Sequence, residues 1–155
     1  MILVSSCLMG FSCRYDGLSK CRPELVDAVR RIAVPVCPEV LGGLSVPRPP
    51  SEIRGGDGRE VWSGLARVVN VCGEDVTEAY LTGARIALSI GAQAGCTRAI
   101  LKARSPACGS GAVYDGTFSA RLRPGDGVFA SLLKAHGLKV YTEDEIREAL
   151  LSLDG

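Results

Sequence analysis

At 155 residues, 46% of them apolar, the chain has material for one hydrophobic core and reads as a single domain over 1–155. A formal charge of +1 excludes the strong basic excess of a protein that binds nucleic-acid duplexes electrostatically, and no apolar run reaches the roughly 18 residues of a membrane span. Seven Cys beside one His and two Met mean that a bound metal would take sulfur ligands.

Ile2 to Ser6 reads as a short buried strand, followed by a turn-rich loop from Cys7 to Lys20. The apolar start is too short for a secretory leader and has no basic leading region, so a cytoplasmic location is expected. Pro23 stands where a first helical residue often does, and Leu25, Val26, Val29 and Ile32 follow at helical spacing. Ala33 to Cys37 reads as a second strand, and Pro35 within it suggests a sheet edge. Residues 38–58, with Gly42-Gly43, Pro49-Pro50 and Gly55-Gly56, are expected to form a long functional loop. Glu60–Trp62 and Ala66–Val71 are read as a small hairpin around Ser63-Gly64.

A long helix should start at an Asp75 cap, bury residues 76, 79, 80, 84, 87 and 88, and stop at Gly95. Arg98 to Lys102 is the next strand, and residues 104–118 form a Gly-rich loop. A further helix opens near Gly125 or Asp126 and closes at Gly137. Leu138 to Tyr141 is the last strand, and Thr142 with Glu145 forms a capping box for the final helix. This strand–helix alternation implies an α/β, Rossmann-like three-layer sandwich with a mostly parallel sheet.

The cysteines are informative by position. Cys7 follows the first strand, Cys37 ends the second, and Cys108 lies a few residues past the strand that ends near Lys102. In an open parallel sheet the carboxyl ends share one edge, and ligands bind in the crevice outside it. Three thiols from separate segments can therefore meet there. Cys72 and Cys96 are expected to act as small buried hydrophobes, and Cys21 to have no special role. Cys13, six residues beyond Cys7, can reach the same place as a fourth ligand, a reactive thiol or a neighbour.

Structural zinc favours close Cys pairs such as Cys-x2-Cys, which this chain lacks, and its spacings do not match ferredoxin runs. Three dispersed thiolates suit a cuboidal iron–sulfur cluster with one iron lacking a protein ligand. Such an iron is a Lewis acid suited to a soft sulfur atom. Glu39, two residues after Cys37, and Ser105, three before Cys108, would be held beside it as a general base and a water-orienting hydroxyl. Taken singly, Glu39 reads as a solvated loop carboxylate and Ser105 as a turn residue; their coincidence with the Cys positions favours the catalytic reading.

Ser5-Ser6-Cys7-Leu8-Met9-Gly10, Cys13-Arg14-Tyr15-Asp16-Gly17, Val36-Cys37-Pro38-Glu39, Ser105-Pro106-Ala107-Cys108-Gly109 and Tyr114-Asp115-Gly116-Thr117-Phe118 together resemble the thiouracil desulfidase family of small microbial proteins. The resemblance runs from Ile2 to about Tyr141. It implies a 4Fe–4S cluster bound by three cysteines only, carried over to Cys7, Cys37 and Cys108, with Cys13 as an alternative to one of them. It implies Glu39 and Ser105 as the water-handling residues. The implied reaction is a non-redox, hydrolytic C–S cleavage that releases sulfur from a small thiolated nucleobase. Ser6, Met9 and Ala107 depart from the family pattern, where Ala, Leu and Ser are usual; none is a proposed ligand. Two other functions compete: a non-catalytic metal-binding module with four protein ligands, and a thiol or persulfide redox enzyme using Cys13.

Overall fold

Short strands alternate with helices along the chain. The computed structural model describes residues 1–153. In chain order the elements are β1 (Ile2–Ser5), α1 (Pro23–Val29), β2 (Ala33–Val36), α2 (Pro38–Leu41), β3 (Ser51–Arg54), α3 (Gly58–Trp62), β4 (Arg67–Asn70), α4 (Thr77–Gln93), β5 (Arg98–Leu101), β6 (Ala112–Tyr114), β7 (Leu122–Pro124), α5 (Val128–Ala135), β8 (Lys139–Thr142) and α6 (Ile146–Leu153).

The central sheet has the order β2-β1-β5-β8, and every pairing in it is parallel. Successive strand residues point to opposite faces, and the core divides accordingly. Ile2, Val4 and Ile100 pack with Leu25 and Val29 of α1 and Ala149 of α6. Leu3, Ala99 and Leu101 pack on the other face with Ala84 and Ala87 of α4 and Phe129 and Leu133 of α5. Each fully buried Leu, Ile or Phe contributes about 1.5–3 kcal/mol. The result is the expected three-layer α/β arrangement. Pro35 lies in β2, which is an edge strand as its missing N–H suggested.

The connections explain where a ligand can sit. From β1 the chain moves outward to β2 through α1; it then passes β1 to enter β5 on the other side, through α4 on the opposite face. That reversal leaves a crevice at the carboxyl ends of β1 and β5.

Three regions differ from the sequence reading. Residues 38–58 contain α2 and β3, and β3 pairs with β4 in antiparallel register from Ser51↔Asn70 to Arg54↔Arg67. Glu60–Trp62 is helical, because Asp57 accepts from the Arg59 N–H at 3.0 Å while Glu60 accepts from the Asp57 N–H at 3.1 Å. This capping box outweighs the β-prone Val-Trp pair. Residues 104–118 contain β6, which pairs with β7 beyond them as a small hairpin. The long helix starts after Val76, yet Asp75 still caps it through the Thr77 N–H at 2.9 Å. The Thr142–Glu145 capping box forms as read. Cys96 is buried, whereas Cys72 is exposed on a turn, contrary to its expected burial.

Helix α2, which carries Glu39, lies directly on α4. A methyl group at Gly83 would overlap the Pro38 carbonyl oxygen, and one at Gly42 would overlap the Ala79 carbonyl oxygen. Neither obstacle is a flexible side chain. Gly83→Ala is therefore expected to displace α2 and to cost about 1–3 kcal/mol of stability. A thermal melt and iron content after reconstitution check this; a variant with unchanged melting and metal content would contradict it.

Candidate functional site

Three neighbouring strands deliver three cysteines to one cavity of about 610 Å³. After β1 the chain makes one tight turn, Ser6–Met9, which places Cys7 below the rim and ends at Gly10 with φ +98°. The following loop folds back, with the Lys20 and Arg22 N–H groups donating to the Cys7 and Leu8 carbonyls at 2.9 Å each. That return brings Cys13 to the same cavity. Cys37 immediately follows β2 and precedes Pro38 at the first position of α2. Cys108 lies on a turn beyond β5, and the Ser105 hydroxyl accepts from the Ala107 and Cys108 N–H groups at 3.1 Å each.

The four thiols are free and feel one another. The Cys37 thiol donates to the Cys13 carbonyl at 3.8 Å. The Cys13 thiol, together with burial, pushes the Cys37 thiol far up. Cys37 favours the Cys13 thiolate, but contact with Cys7, burial and repulsion outweigh it, so Cys13 is pushed up to about 11. Burial raises the Cys108 thiol strongly; the Ser5 hydroxyl against its sulfur opposes this, and Cys37 and Glu39 add to it. A reactive redox thiol has the opposite character, with its thiolate stabilised at neutral pH.

A single metal ion needs donors drawn tightly around it, and among the described residues no trio of His, Cys, Asp or Glu is gathered in that way. A cuboidal cluster is wider and takes its thiolates at separate corners. The all-sulfur donor set, spread over the ends of adjacent strands, fits such a group.

Glu39 is held in place from two sides. Its Oε2 accepts from Arg48 Nε at 2.9 Å and from Arg48 Nη2, and its Oε1 accepts from the Tyr80 hydroxyl at 3.0 Å. The Arg48 and Glu39 side chains are only 6% and 13% exposed. Arg48 Nη2 also donates to the Cys13 carbonyl at 3.0 Å, and the Arg48 N–H to the Tyr15 carbonyl at 2.8 Å. One guanidinium thus ties α2, the Cys13 loop and the approach to β3 together. A carboxylate offers about four acceptor positions; these contacts take three and leave one, on Oε1. Tyr80, fully buried, is pushed well above the usual phenol range, first by burial and then by the Glu39 charge.

All the residues singled out from the sequence line this one cavity: Cys7, Cys13, Cys37, Glu39, Ser105 and Cys108. Two participants carry no signal for this role in the sequence: Tyr80 belongs to the apolar helical stripe and Ser5 to a buried strand. Arg48, in the 38–58 segment, is a cation whose direction the sequence does not set. Tyr80 had no local signal, because its partner is 41 residues away.

A model of the 2-thiouracil desulfurase family matches residues 2–145. An uncharacterised protein of Bacillus subtilis (strain 168), YbbK, is 48% identical over 153 residues, which span 97% of this chain and 100% of the relative. A solved structure described as a [4Fe-4S]-dependent thiouracil desulfidase, TudS (DUF523Vcz), superposes with a TM-score of 0.88 at 42% identity, over 99% of this chain and 97% of that one.

Proposed function

This chain belongs to the 2-thiouracil desulfurase family, and from that premise we propose that it is a [4Fe-4S]-dependent desulfidase acting on a small thiolated nucleobase such as thiouracil. The observation that carries the reading is the meeting of Cys7, Cys37 and Cys108, with Glu39, in one cavity at the carboxyl edge of the sheet. Cys7, Cys37 and Cys108 would hold the cluster. When bound, it supplies a Lewis-acidic iron without a protein ligand, suited to a soft thiocarbonyl sulfur.

The chain's own residues supply the water chemistry. Glu39 takes a proton from a water through its remaining Oε1 position. The water oxygen forms a C–O bond to the thiocarbonyl carbon, the C–S bond breaks, the second water proton leaves with sulfur as hydrosulfide, and Glu39 releases the first to solvent. No electrons are transferred overall, so the reaction is a hydrolysis. Arg48 and Tyr80 fix the carboxylate's direction. Ser105, whose oxygen already accepts two backbone N–H groups, keeps its own proton to orient the water.

The reading describes a single-domain enzyme for a free small molecule, not for a nucleic-acid duplex. No helix among the described residues is long and apolar enough to cross a membrane. We place the protein in the cytoplasm, where reducing conditions preserve thiols. Anaerobically reconstituted protein incubated with 2-thiouracil is expected to release sulfide and uracil in equal amounts. Intact cluster content with no sulfide released would overturn the reading.

A further inference from the structure

Among the described residues, three non-glycine residues have left-handed backbone: Arg104 (φ 65°), Phe118 (φ 55°) and Ala120 (φ 61°). All three line the cavity that holds the cysteines and Glu39. For a bulky residue such as Phe this conformation is unfavourable and persists only where surrounding structure imposes it.

The surrounding structure does impose it. Phe118 sits at the tip of the β6–β7 hairpin, which docks on β3. Glu52 of β3 points one carboxylate oxygen, Oε1, at that tip, where it accepts from the Gly116 N–H at 2.9 Å and the Phe118 N–H at 3.1 Å. Arg54 places Nε and Nη2 3.4 Å from the Gly116 carbonyl. A methyl group at Gly116 would lie 2.7 Å from the Ile53 carbonyl oxygen, so the tip is seated directly on the strand backbone. Below, the Asp115 N–H donates to the Arg121 carbonyl at 2.9 Å and closes the loop. The loop is thus clamped, and half-buried Phe118 lines a cavity that also holds the cysteines, Glu39 and the tyrosines Tyr15, Tyr80 and Tyr114.

We propose that Phe118 is a specificity-determining contact: its ring is the flat wall on which the planar heteroaromatic ring of the thiolated base stacks. The inference rests on the desulfidase reading and names how that site selects planar ring substrates. Stacking favours any flat π-face and does not favour an aliphatic side chain of similar bulk.

The test uses anaerobically reconstituted holoprotein, with uracil as the binding probe by calorimetry and 2-thiouracil as the substrate. Phe118→Leu keeps apolar bulk and removes the aromatic face. It is expected to weaken uracil binding and raise KM about tenfold or more, with kcat, iron content and melting temperature near wild type. Phe118→Tyr should restore both constants to within about twofold. A Phe118→Leu protein that binds uracil and turns over like wild type would overturn the inference while leaving the functional reading intact. A wild-type holoprotein that releases no sulfide would overturn that reading, and this inference with it.

Discussion

Replacing Glu39 by Gln is expected to lower kcat for sulfide release about 10²- to 10⁴-fold, the range a general base contributes, while iron and acid-labile sulfide stay at wild-type levels. Gln keeps the size of Glu and can still accept from Arg48 through its amide oxygen. Its nitrogen then occupies the Oε1 position, between Tyr80 and the cavity, and cannot take a proton from water. Arg48 loses its charge partner within a site where its side chain is 6% exposed, so a lower melting temperature should accompany the kinetic loss. Metal analysis separates the two effects. A Glu39→Gln protein with full cluster content and wild-type kcat would remove Glu39 from the chemistry.

The second large effect concerns the ligands. Cys37→Ser and Cys108→Ser are each expected to abolish sulfide release and to remove the visible absorption of the reconstituted protein. The hydroxyl is a harder, less readily ionised donor than the thiol and fits iron–sulfur ligation poorly. Both residues lie on short, closely packed turns. Cys37 precedes a helix pressed against Gly83, and Cys108 belongs to a turn whose N–H groups are held by Ser105. The backbone has little freedom to bring in a substitute donor. Exposed Cys21 and Cys72 provide the controls; Ser at either position should leave absorption and turnover unchanged. Retained absorption in both the Cys37 and Cys108 variants would refute the ligand assignment.

The parts of the fold legible in the sequence are those whose signal is local. Pro35 marks the edge strand because it lacks an N–H, and Thr142 with Glu145 marks a helix start because the two side chains satisfy backbone groups within three residues. Cys7, Cys37 and Cys108 could be placed together because parallel strands put their carboxyl ends on one edge, whatever the strand order. The small pairs β3–β4 and β6–β7 were not legible. Each strand is three or four residues long, too short for a period-2 pattern to stand out from a Gly- and Pro-rich loop. The capping box at Asp57 and Glu60 was present but masked by the β-prone Val61-Trp62 pair. Around the site, the missing information was tertiary: Tyr80 reaches Glu39 and Glu52 reaches Phe118 only once distant segments meet, across separations of 41 and 66 residues.

Cys13 tests the central claim most directly, since it lines the same cavity as Cys7, Cys37 and Cys108 and would be the fourth ligand if the site were closed. Iron and acid-labile sulfide should be measured in anaerobically reconstituted Cys13→Ser protein, alongside its release of sulfide from 2-thiouracil. A site held by Cys7, Cys37 and Cys108 predicts four irons and four sulfides per chain, with turnover retained. Loss of the cluster on replacing Cys13 alone would contradict it.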